Sequence, residues 1–223
     1  MDAEYKKFLE SAPYGPEDLA RWESAKQSLR DNPPSSTGQL IKTGSPQAWE
    51  LDPIPLVLGS QDWSILANAI AQRMLLIDLL LQDIYGPQRL VEQGVVPASL
   101  VFNAPSYIRA ARVAKGSPRP MLYLYAIQAS RCASGQWLVH ADRTQGPSGC
   151  GHAIENRLAI SRIHSDSFQS MQVSRIADFF LKLRQTLQDG SSSKDRITRT
   201  ALLSPGVQSP TYFEDAYLAR YLG

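Results

Sequence analysis

The chain has 223 residues, 43% hydrophobic and 20% charged, with 23 Lys and Arg against 21 Asp and Glu for a formal net charge of +2. That composition is ordinary for a soluble globular protein with a real core, in one large domain or two small ones, and the charge is too mild to argue for nucleic acid or an anionic membrane. Cys132 and Cys150 are the only cysteines and lie too far apart for a CxxC pair, so no disulfide framework is expected.

The N-terminus, MDAEYKKFLES, lacks the apolar core of a signal peptide. Residues 2–30 read as helical and amphipathic, with Pro16-Glu17-Asp18 at a helix start and Leu19, Trp22, Ala25 and Leu29 on one face. Asn32 to Ser45, rich in Pro, Gly and Ser, reads as a linker or mobile loop, so residues 1–48 form a helical region and linker ahead of a domain over 49–223. In Trp49 to Leu58 two prolines exclude a central strand over the first half, and the segment enters the core at Leu56-Val57-Leu58.

Gln61 to Tyr85 is the longest predicted helix. Trp63, Leu66, Ile70, Ile77, Leu80, Leu81 and Ile84 recur at three- and four-residue spacing, and Gly86-Pro87 stops it. Its apolar side chains fit a buried helix without chemistry, and Arg73 reads as a snorkelling side chain. The most apolar run, Met74–Leu81, is short and broken by Asp78, so no membrane span is expected and a reducing cytoplasm is the default. Short helices follow near Gln88–Gln93 and Ser106–Val113, and Lys115–Pro120 is a basic turn.

Met121–Ala129 reads as a strand with Tyr123, Tyr125 and Ile127 on one face. A loop around Arg131–Gly135 turns it into an antiparallel partner, Gln136–Asp142. Further on come an amphipathic helix over Phe168–Gln188, a flexible loop Asp189–Asp195, a buried strand Arg199–Leu203, the turn Ser204-Pro205-Gly206 and a helix from about Thr211 to Leu222. The fold class is α+β, helices around a mainly antiparallel sheet.

The stretch Trp137–Arg162 reads as strand, glycine turn and helix. Gly146-Pro147-Ser148-Gly149-Cys150-Gly151 continues neither regular structure, and a helix runs from about His152 to Arg162 with Ile154, Leu158 and Ile160 or Ile163 as its apolar stripe. Strand end, glycine turn and helix start form a common place to hold an anion or polar substrate. The alternative is a surface connection whose charges are solvated.

Several of these segments resemble the circularly permuted type 2 ATP-grasp proteins, most closely those fused to a helical alpha-E domain. The resemblance is carried in order by DPIPLVL at 52–58, Gln72-Arg73, DIYGPQRL at 83–90, Gly94 to Pro97, ADRTQGPSG at 141–149, ENR at 155–157 and YFEDAYLARYLG at 212–223. It implies an ATP-grasp fold and ATP-dependent carboxylate–amine ligation with ATP and magnesium. It also implies that the chain is the N-terminal portion of such an enzyme, whose remaining ATP-grasp half holds the nucleotide phosphates and whose substrate is a small molecule or peptide.

Related ligases hold magnesium with an aspartate on the first hairpin strand and a glutamate and asparagine on the second. The equivalent positions here are Gln128, Ala141 and Arg143, which offer one neutral oxygen, none and a cation, whereas magnesium wants hard, charged oxygen ligands. Asp142 is a carboxylate one residue over, on the other face of the strand. Arg143 therefore stands as the residue that takes over the metal's charge, binding a phosphate or carboxylate as a planar fork. Gln145, Ser148 and the N–H groups from Gly149 add neutral donors. Glu155, Asn156 and Arg157 either point back at the same ligand or only pair locally and cap the helix.

Cys132, His140, Cys150 and His152 invite a zinc site, but their spacing fits no standard pattern. Ser148 has no His/Asp pair in sequence, and no Walker A lysine follows the glycines. Two function classes stay open: a segment of an ATP-grasp ligase, or a non-catalytic binding or scaffold domain with an anion pocket. In either, the C-terminal helix needs a partner surface for Phe213, Tyr217, Leu218 and Leu222, and a homo-oligomer is expected.

Overall fold

The computed structural model describes residues 27, 31, 40–42, 45–47, 51, 56–112, 120–132, 134–190, 199–209 and 211–223. The helix expected over 2–30, the basic turn at 115–119, the prolines of 52–55 and most of the loop at 189–195 lie outside them. The chain divides into two compact units, one of residues 1–59 and 148–223, the other of residues 60–147.

In the first unit, β1 (Leu40–Lys42) pairs antiparallel with β2 (Ser45–Gln47), Leu40 opposite Gln47. The linker expected over 32–45 therefore contains strand at its end.

The 60–147 unit is organised by α1 (Ser60–Ile84), followed by α2 (Arg89–Glu92) and α3 (Ala98–Phe102). Leu66, Val101 and Leu122 are buried, and Tyr85, Tyr107 and Phe102 pack ring against ring at centroid distances of 5.3 and 5.5 Å. The helix expected over Ser106–Val113 is only a 3-10 turn at Arg109–Ala111. The apolar side chains of α1 recur at three- and four-residue spacing, which fits a helix packed into a core, yet only Leu66 and Asp78 are buried. Leu75, Leu76 and Leu79 are more than half exposed, which corrects the expectation of a buried helix. By length and composition alone α1 is the one helix among the described residues long and apolar enough to cross a membrane.

The chemistry of α1 lies in its charges. Asp78 accepts hydrogen bonds from the backbone N–H groups of Met121 (2.7 Å) and Leu122 (2.8 Å), and Gln82 donates to its other oxygen. Those N–H groups are thus unavailable to a ladder, so β3 begins at Ala126 and runs to Arg131, not from Met121 as expected. Asp83 similarly accepts from the N–H groups of Arg89 and Leu90, both at 3.0 Å, capping α2.

β4 (Trp137–Arg143) returns antiparallel to β3. The turn is closed by Cys132 N to Gln136 O and Gly135 N to Cys132 O. Gln128 pairs with Ala141 and Ala129 with Val139, so a bulge leaves His140 as the extra residue. Arg131 at the hairpin end pairs with Asp62 at the start of α1, 2.9 Å apart.

The 148–223 part of the first unit holds α4 (Cys150–Ile163), α5 (Ser165–Ser170), α6 (Ala177–Asp189) and α7 (Tyr212–Leu222). Ile154, Ala159, Ile160 and Phe180 form its buried apolar centre. Leu158, expected on the apolar stripe of α4, is 42% exposed, and Ala159 takes that place. The single helix expected over Phe168–Gln188 is two, because the chain turns at Gln172 with a left-handed φ of 48°. The buried strand expected at Arg199–Leu203 is neither strand nor buried: Leu203 is 97% exposed.

Candidate functional site

The strand end in the 60–147 unit is dominated by a three-residue network. Arg73 Nε donates to Asp142 Oδ1 at 2.6 Å and Nη2 donates to Oδ2 at 2.7 Å, a bidentate fork. The Tyr125 hydroxyl also donates to Oδ1. The hydrogen bonds from Arg73 first and Tyr125 second bring the Asp142 pKa down from 3.8 to about 2. Burial, followed by the bond to Asp142, pushes Tyr125 up to about 12. Arg73, read from sequence as a snorkelling side chain, is therefore an ion-pair partner.

Arg143, next along β4, is exposed, and no hydrogen bond or ion pair holds it among the described residues. Gln145 is exposed as well. Gln128 and Ala141, the other positions equivalent to family metal ligands, face each other across the ladder. Donor chemistry at this strand end does not suit magnesium: Gln128 is neutral, Ala141 has no donor, Arg143 repels a cation, and Asp142 is neutralised by Arg73. Among the described residues no three His, Cys, Asp or Glu gather to hold a metal ion.

In the other unit, Ser148 is exposed and Gly149 is the N-cap of α4, with φ 118°. Gly149 N–H donates to Glu214 Oε2, from α7. The other carboxylate oxygen of Glu214 lies 3.2 Å from His152 Nε2. Glu155 is buried one turn further along α4 and accepts the Tyr217 hydroxyl. Burial first and that bond second push Tyr217 up to about 12. Asn156 is half-buried. Arg157 donates to the Ser174 carbonyl and lies 4.8 Å from the centre of the Phe168 ring. These contacts of Glu155 and Arg157 reach residues distant in sequence, Tyr217 on α7 and the Ser174 carbonyl, and are neither a local pair nor a helix cap.

Sequence reasoning missed Arg73, Tyr125 and Glu214. Glu214 stands in the YFEDAYLARYLG motif, a signal that marked the segment without saying what its carboxylate touches. It also missed the Ser130 Oγ–His140 Nε2 contact, 2.7 Å across the hairpin. Both residues are exposed, and among the described residues no carboxylate orients His140 as a catalytic base requires.

Helices flanking an antiparallel hairpin, followed by a glycine turn into a helix, are consistent with an ATP-grasp-like fragment. The model of the family circularly permuted ATP-grasp type 2 matches residues 55–223, and the chain belongs to that family. The uncharacterized protein Rv2567 of Mycobacterium tuberculosis (strain ATCC 25618 / H37Rv) is 36% identical over 178 residues, 80% of this chain and 20% of the relative. The uncharacterized proteins ML0605 of Mycobacterium leprae and sll0335 of Synechocystis are 29% and 27% identical over 81% of this chain, and 32% and 37% of their own lengths. The chain thus spans a fifth to somewhat over a third of these relatives.

Proposed function

We propose that this chain acts as a lobe of an ATP-grasp-type, ATP-dependent carboxylate–amine ligase, one that offers a cationic strand end in place of a metal site. Membership of the family supports the reaction class. The observation that carries the reading is the commitment of both Asp142 oxygens to Arg73 and Tyr125, which leaves Arg143 as the exposed charge at the end of β4. There its guanidinium binds a phosphate or carboxylate of a small-molecule or peptide substrate, with Gln145 as a neutral donor. In this reading the metal and nucleotide phosphates have their ligands in a remaining ATP-grasp half, for which the greater length of the relatives leaves room, with an alpha-E domain as a further partner. The compartment proposed is the cytoplasm.

A second reading, a non-catalytic binding or scaffold domain, is favoured by Gln128, Ala141 and Arg143, which offer no charged oxygen where related ligases hold magnesium. Calorimetric titration with ATP and magnesium tests the first point. The chain alone is expected to bind weakly or not at all, and a micromolar, magnesium-dependent affinity would overturn the proposal. ADP release with the rest of the Mycobacterium tuberculosis relative added in trans separates the two readings: turnover supports the ligase lobe, and its absence supports the scaffold.

A further inference from the structure

In a capping box the residue at the third helical position, a Glu or Gln, reaches back to the N–H of the N-cap residue. α4 has the wrong residues for this. Its N-cap is Gly149, which has no side chain to cap with, and its third helical position is His152. The carboxylate arrives instead from α7: Glu214 Oε2 accepts the Gly149 N–H, while Oε1 faces His152 Nε2 at 3.2 Å.

Two further features fit the turn to this carboxylate. Gly151 leaves room for it, since a Cβ there would lie 3.1 Å from Glu214 Cα and 3.3 Å from its Cγ. The neighbouring residue on α7, Phe213, sets its ring 5.2 Å from that of His152. Glu214 itself is 5% exposed.

We infer that Glu214 is a positioning residue, supplying from the C-terminal helix the capping-box carboxylate that α4 lacks, so that the glycine turn holds its conformation only while α7 is docked. The Gly149 N–H cannot serve Glu214 and an external anion together. Release of α7 is therefore the event that frees it. This inference stands on the α4–α7 geometry and does not depend on the ligase proposal.

Residue-resolved amide exchange on the full chain tests it, comparing wild type with Glu214→Ala and with Glu214→Ala/His152→Glu. In the single variant the Gly149 amide is expected to exchange roughly tenfold faster, the scale of a lost cap. In the double variant a local Glu at the third helical position restores Gly149 protection, while α7 amides such as Asp215 remain loosened because nothing ties α7 back. Unchanged Gly149 exchange in Glu214→Ala overturns the inference. If Glu214→Ala unfolds, recovery of the α4 amides Ala153 and His164 in the double variant supports it, and failure to recover them overturns it.

Discussion

Arg73 on α1 and Asp142 on β4 are joined across 69 residues of sequence by two parallel hydrogen bonds of 2.6 and 2.7 Å, tying the long helix to the end of the hairpin. The pKa of Asp142 falls from 3.8 to about 2, chiefly through the hydrogen bond from Arg73. A carboxylate with a depressed pKa contributes stability that is complete above its unfolded value, near pH 4, and fades as the pH drops towards 2. Wild type and Asp142→Asn should therefore melt at different temperatures at neutral pH and converge near pH 2. Salt should narrow the gap, because Arg73 is about half exposed. Thermal scans by circular dichroism at several pH values check this; a gap that does not change with pH would assign the difference to something other than the charge.

Asp78 carries a heavier structural duty. It is buried and satisfies the N–H groups of Met121 and Leu122 ahead of β3. Asp78→Ala leaves those donors without their acceptor and should cost about 1–3 kcal/mol in denaturant unfolding. Asp78→Asn retains an acceptor oxygen and should cost less. Equal losses in the two variants would contradict the capping role.

Arg143 separates binding from folding. Being exposed without a described partner, its replacement by Ala should leave stability within about 0.5 kcal/mol. Binding of tripolyphosphate should weaken by about ten- to a hundredfold, and Arg143→Lys should recover only part of it. A large drop in melting temperature in the Ala variant would remove Arg143 from the proposed site.

Association should follow α1 and not the C-terminal helix. Phe213, Tyr217, Leu218 and Leu222 are half-buried in their own unit, whereas Leu75, Leu76 and Leu79 stand 59%, 66% and 53% exposed along one helix. An apolar face of that kind drives self-association. Light scattering should show the wild type as oligomeric and Leu76→Lys/Leu79→Glu shifted towards monomer. A monodisperse wild-type monomer at high concentration would count against this.

The parts legible in sequence are those governed by local rules. Three- and four-residue spacing ended by Gly86-Pro87 marks α1 nearly to its ends, and the Ser134-Gly135 turn places the hairpin. The failures share a cause: each depends on a contact distant in sequence. Nothing near Met121 says that Asp78 will take its N–H, so the strand pattern starts ahead of β3. The break between α5 and α6 falls at Met171-Gln172-Val173-Ser174, which holds neither glycine nor proline, and the Arg157 contact to Ser174 is invisible to periodicity. Arg199–Leu203 has strand composition, but composition cannot supply a neighbour to pair with. At the candidate site, Arg143 and the glycine turn stand out by residue type, while Arg73, Tyr125 and Glu214, which fix what that turn and strand end can do, do not.

The sequence Gly149-Cys150-Gly151 has little mutational freedom. At 149 any other residue would have to hold a φ of 118° that side-chain-bearing residues avoid, and at 151 even a methyl group would press on the backbone of α7. Cys150 between them is half-buried, where a larger side chain has to displace its neighbours. Single substitutions in the triplet therefore damage the helix–helix contact before they can refine any chemistry there. New ligand preferences should arise more readily by exchange of the exposed residues upstream, Arg143 and Gln145, than within the triplet.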